Sequence, residues 1–231
     1  MKRKTLTLTL SLLVCLSLIG VGFASWIITS NNQESLSGNI VIDSVEDKRL
    51  NVTYEWVADA NGTALTLPEG TTTPTLAYGI KSGVTNAPSW LSNDDTSENL
   101  SAYLKITITD KSGTAYTTAN ITPVLTASES FTSAATDGLV GELPTPTVDN
   151  KNDGTYIISF TLTWGTKFDG KNPAELFAGK AVDDDLPDAL SSLNETQYTT
   201  CGDYASHYLD ALDKAFTTDP TYTLAITVAR E

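Results

Sequence analysis

The chain is poor in the residues that do most enzymatic work. It holds one histidine, two cysteines, a single methionine at its start, and 14 basic residues against 28 acidic ones. A zinc protease of the H-E-x-x-H type needs two histidines one helical turn apart, and His207 stands alone. There is no G-x-S-x-G nucleophile elbow and no glycine loop able to cradle a phosphate. A Cys201–His207 pair, six residues apart on a helix, would point about 240° away from one another. Paired carboxylates for glycoside hydrolysis are a spatial matter, and nothing in the sequence singles out a pair. These absences argue against an enzyme. The shortage of basic residues leaves a formal net charge of -14, a surface that repels phosphate backbones and excludes nucleic acid as a partner.

Long apolar runs are missing except at the start. Lys2, Arg3 and Lys4 precede an apolar stretch over residues 6–19, and Gly22-Phe23-Ala24 supplies small residues where a signal peptidase reads. Cleavage between Ala24 and Ser25 is expected, giving a signal peptide over 1–24 and a mature chain over 25–231. The competing reading is an uncleaved anchor over residues 5–28, just long enough to span a bilayer core. Membrane contact is expected only through that segment. Cys15 does not make a lipobox, because Val14 rather than a small residue precedes it. Losing the leader removes three bases and takes the formal charge from -14 to -17. It also leaves Cys201 without an intrachain partner, so stability must come from a core rather than a disulfide.

What the sequence does have is alternation of period two, the signature of half-buried strands. One face collects Tyr156, Ile158, Phe160, Leu162 and Trp164; others collect Tyr222, Leu224, Ile226 and Val228, or Leu104, Ile106 and Ile108. Val52, Tyr54 and Trp56 form a further set, as do Ile40 and Ile42. Opposite them stand mostly threonines, the pattern of antiparallel sheets with one wet side. Turn signals at Asn61-Gly62, Ser82-Gly83, Ser112-Gly113, Asp153-Gly154 and Asp169-Gly170 separate the strands. The expected fold is mainly all-β, an antiparallel β-sandwich or jelly roll in one domain.

Between residues 172 and 217 the period changes, which predicts a helical insertion near the C-terminus. Asn172-Pro173-Ala174-Glu175 reads as a capping box, with Glu175 reaching back, and Gly179 as the helix end. A second helix is expected from Pro187, burying Leu190 and Leu193. A third is expected after Asp203, with Tyr204, Tyr208, Leu212, Ala215 and Phe216 at helical spacing. Asp183, Asp184 and Asp185 precede the second helix, where calcium is a weak possibility and dipole-favoured negative charge the simpler reading. The sequence DNKNDG at 149–154 departs from a calcium loop at Lys151 and Phe160 and reads as a hairpin turn. No other cofactor is implied.

The basic start, the run ending Gly22-Phe23-Ala24, the aromatic Trp26, a polar spacer and then Ser37-Gly38-Asn39-Ile40-Val41-Ile42-Asp43 resemble the start of the TasA and camelysin group of Gram-positive bacteria. The likeness covers about 40 residues, and Ser37 and Ile42 depart from the group's usual Ala and Leu. A second stretch, WGTKFDGKNPAELF at 164–177, is similar to secreted proteins of the same bacteria. The resemblance implies export through a dedicated signal peptidase, a jelly-roll domain, and a fibre or biofilm-matrix role at the cell surface or outside it. The protease activity ascribed to part of that group does not carry over to a chain with one histidine.

Cleavage would expose Ser25-Trp26-Ile27-Ile28-Thr29, a short β-prone segment on a polar tether. Trp26, Ile27 and Ile28 are therefore candidates for a donor strand that adds to the sheet edge of another copy or of a related matrix protein. The second functional reading is a carbohydrate-binding module at the cell surface, with Trp90, in a polar loop, as the stacking platform. The secreted protein is expected to begin at Ser25, which N-terminal sequencing checks; membrane-bound material retaining Met1 would show the uncleaved anchor instead.

Overall fold

The computed structural model describes residues 37–46, 49–91, 98–191, 193 and 197–230, within a unit that spans Ser35–Glu231. Among the described residues there are eight strands, β1 (Ser37–Glu46), β2 (Leu50–Val57), β3 (Thr75–Ala77), β4 (Ser101–Asp110), β5 (Ala119–Ala127), β6 (Thr147–Asn150), β7 (Thr155–Thr161) and β8 (Thr221–Arg230), of which the alternation announces β1, β2, β4, β7 and β8. They form two four-stranded sheets, β3-β1-β8-β5 (sheet A) and β2-β4-β7-β6 (sheet B). Neither closes into a barrel. The inward residues of both sheets belong to one apolar core, with Ile40, Leu224 and Ile226 from sheet A and Leu104, Ile106 and Ile158 from sheet B. Every strand face named from the sequence lies inward, and the β7 series continues past the strand through Leu162 and Trp164.

Sheet B is antiparallel throughout. Sheet A is mixed, which corrects the expectation of antiparallel sheets alone: β1 runs parallel to β8 from Asn39↔Thr221 to Glu46↔Val228. Period two is the same for either direction. A hairpin forces antiparallel pairing only on sequence neighbours, and between the first and last of these strands lies the rest of the chain. Ile157 points away from the core yet is buried, because the turn at Gly62 lies against it and the stem of Lys105.

The turns are held by short acids. Asp110 accepts from the Ser112 hydroxyl (2.6 Å) and from the backbone N–H of Thr114 (2.9 Å), and these bonds hold its carboxyl below the usual range. Thr63 does the same for Asp59, and the Thr155 N–H for Asp153. Gly154 closes the β6–β7 hairpin at a φ of +85°, where an added Cβ would also stand 2.8 Å from the carbonyl oxygen of Ile108. No other residue type suits both conditions.

A helix that the alternation did not announce, α1 (Glu129–Thr136), buries Phe131 and Ala134 after β5. Between β7 and β8 lie α2 (Pro173–Leu176), α3 (Asp188–Ser191) and α4 (Cys201–Ala215). Asn172 caps α2 through the Ala174 N–H, but Glu175 does not reach back as a capping box would have it; its carboxylate takes Lys81 at 2.6 Å. Leu190 is fully buried while Leu193 is exposed, since α3 ends at Ser191 before a second turn can carry Leu193 inward. Helix α4 starts ahead of Asp203, because the Thr200 hydroxyl accepts from the Asp203 N–H and so caps the helix earlier. Tyr204, Tyr208, Leu212 and Phe216 are buried as their spacing requires.

Replacing Ile106, which is fully buried, with alanine is expected to cost about 2–5 kcal/mol in urea unfolding. Thr107→Ala, on the outer face of the same strand, is expected to change stability by less than about 0.5 kcal/mol. Equal effects would show that the register is wrong.

Candidate functional site

The least satisfied part of the fold is one side of β1. On its β8 side the strand is paired from Asn39 onward. On the other side β3 pairs only with Ser37, Gly38 and Asn39, the last opposite Thr75. Continuing that ladder would set Pro74 against Ile40, and proline has no N–H to give and is tolerated only where a ladder stops. Pro74 is buried. Before it the chain turns away at residues 68–71, where the N–H and hydroxyl of Thr71 both donate to the Pro68 carbonyl (3.1 and 2.7 Å). Among the described residues no strand pairs with Ile40, Val41 and Ile42 on this side.

Beside that edge lies a groove of about 660 Å3. Its lining includes Ile40 and Ile42 of β1 together with Tyr54 and Trp56 of β2, the edge strand of the other sheet. Leu104 lies deeper, and threonines 71–73 make the remaining wall. Sheet A therefore contributes the uncovered stretch of β1, and sheet B its edge strand β2, to a slot with apolar and threonine walls that has backbone hydrogen-bonding groups along one side. Such a site offers a β-strand main-chain bonds for affinity and apolar contacts for its alternate side chains. None of this was read from the sequence as a site. The signal was present in Pro74, but the meeting of β1 with β2 is tertiary.

The residues named from sequence fall elsewhere. Ala24, Ser25, Trp26, Ile27 and Ile28 lie outside the described residues. Trp90 is half-buried: its indole N–H donates to the Lys180 carbonyl (3.0 Å) and its ring leans on Phe177, with centroids 5.7 Å apart. Those contacts use the only donor of the indole. Trp164 is core, bonded through its N–H to Glu98 at 2.8 Å and set edge-on to Tyr78 and Phe168. Cys201 and His207 are not brought together. The thiol is buried against the Asp185 carbonyl, and burial pushes its pKa up. The imidazole is exposed on α4 and stacks on Tyr198 at 4.6 Å. Asp184 accepts from the Ala181 N–H within its own turn (2.8 Å). Among the described residues no group of three His, Cys, Asp or Glu side chains is placed to hold a metal.

One buried polar centre is structural. Asn172 donates to the Gly79 carbonyl (2.9 Å) and to Glu98 (3.0 Å), and accepts from the N–H groups of Ala174 (2.9 Å) and Lys81 (3.2 Å). Its amide is fully used, so it clasps the loop after β3 to α2 and leaves nothing for a ligand. Among the described residues no helix is long and apolar enough to cross a membrane. No protein-family profile, curated protein or solved structure matches the chain.

The Cys201 thiol is expected to resist thiol–disulfide exchange with a chromogenic aromatic disulfide in the folded protein and to react, releasing the coloured thiolate, as the protein unfolds in denaturant. Stoichiometric reaction under native conditions would place the thiol on the surface.

Proposed function

We propose that this is an exported structural protein of the cell surface or extracellular matrix, whose copies join head to tail. In this reading the segment containing Trp26, Ile27 and Ile28 of one copy enters the groove beside β1 of the next and completes sheet A. The observation that carries it is the pairing of a slot walled by Ile40, Ile42, Tyr54, Trp56 and a row of threonines with a β1 edge that Pro74 leaves open. The two sheets then act as the layers of a β-sandwich of jelly-roll type, with α2, α3 and α4 as an insertion. The N-terminal resemblance to the TasA and camelysin group, which brings with it a signal peptidase and a matrix setting, supports the same reading.

β3 already occupies the β1 edge at Ser37 to Asn39, so the stretch of edge offered to a second copy begins at Ile40. A head-to-tail contact is heterologous, and where its rotation does not close a ring it gives filaments.

The double change Ile27→Asp, Ile28→Asp in the secreted full chain is expected to abolish filaments in electron micrographs while leaving the melting temperature of the folded domain unchanged. Filaments of normal length from that variant would overturn the reading.

A further inference from the structure

The outer faces of the two sheets differ in charge. Sheet B carries the Glu55–Lys105 pair (2.9 Å) and Asp149 beside Lys151 on its outside, and a turn covers Ile157. The outer face of sheet A, in its described residues, is almost free of charge. Across β1, β8 and β5 one row of its outer face reads Val41, Thr223, Thr126. The next reads Asp43, Ala225, Val124, and the row beyond contains Thr227 and Thr122. Asp43, on the β1 flank, is the one ionisable side chain described in these rows. Val41 and Val124 are 53% and 52% exposed, the two most exposed large apolar side chains described in the molecule.

In a chain with 28 acids and 14 bases, two copies meeting on most surfaces bring carboxylates together, which costs energy. On the outer face of sheet A they do not. Its threonines, valines and alanines are short or stiff at χ1, so little rotamer freedom is lost when they pack. We propose that this face is a lateral contact, packing on the same face of a second copy. A two-fold axis along β8 lays β1 of one copy over β5 of the other. The two Asp43 carboxylates then sit at opposite margins, where both keep their water.

The size of the face sets how strong the contact can be. Three strands about 4.8 Å apart, over the eight paired positions of β1 and β8, give a face of roughly 400 Å2. Two such faces remove about 800 Å2 from water, short of the roughly 1,200 Å2 at which stable complexes begin. The contact is therefore weak between free monomers and grows by repetition when copies are already in line. That second, multivalent effect rests on the head-to-tail reading; the face-to-face pairing does not.

The test uses the mature full chain with single surface cysteines and a short bismaleimide crosslinker, the unmodified chain giving the background. Ala225→Cys is expected to form covalent dimers at least about ten-fold faster than Thr53→Cys on the outer face of sheet B. Adding Val124→Glu to Ala225→Cys is expected to remove that excess, because the new carboxylate meets Asp43 of the other copy. Equal rates at the two positions, or an excess that Val124→Glu leaves intact, would overturn the proposal; the face would then be a solvated surface or one for a partner of different chemistry. The two readings separate cleanly. Fast crosslinking at Ala225 without filaments leaves the lateral contact standing and removes the head-to-tail one, and single unbundled filaments with no excess at Ala225 do the reverse.

Discussion

Sheet A depends on the parallel ladder between β1 and β8. Strand β8 is the last in the sequence and sits inside the sheet, with β1 on one flank and β5 on the other. Without β1, an inner strand that buries Tyr222, Leu224, Ile226 and Val228 would be left with a bare edge. The ladder also fixes where Ile40 enters the core. A strand has two edges, however, and β1 spends only one of them on β8. Its other edge is the origin of the candidate site, because Pro74 stops the short β3 from covering it.

A bare edge is a hazard, since it invites pairing with any extended chain. Three features narrow the choice of partner here. The slot beside the edge sets the side chains of Ile40, Ile42, Tyr54 and Trp56 opposite a threonine wall, so an incoming strand meets side chains as well as backbone. The rest of the molecule is strongly acidic, which keeps unrelated copies apart. The weakly charged outer face of sheet A is the place where that repulsion relaxes. The proposed strand addition and the proposed lateral packing would thus use different surfaces of the same sheet, one its edge and the other its face.

Much of this fold is written in the sequence. The inward sets around Ile106, Phe160 and Ile226 are legible because a slip of one residue would expose each whole set, and the Asn172-Pro173 start of α2 is legible because capping is local. What escaped reading is what depends on distant partners. Parallel pairing of β1 with β8 leaves no mark on alternation, and Ile157 is buried by a turn that precedes it by almost 100 residues. Helix α1, made largely of Ser, Thr and Ala, shows only Phe131 and Ala134 to the core. The groove has the same character: Tyr54 and Trp56 read as core residues of β2, and only the approach of β1 makes them walls of a slot.

The central claim is that the open edge of β1 receives the N-terminal segment of another copy. Mixing two forms of the secreted chain in which Cys201 is replaced by serine and one cysteine is added, Ile28→Cys in one and Thr72→Cys in the other, tests it most directly. Oxidation of the mixture is expected to give a disulfide-linked heterodimer joining these two positions, with far less homodimer in either form alone. If the mixture yields no more heterodimer than random collision between the two thiols, the edge is not the acceptor and the account fails.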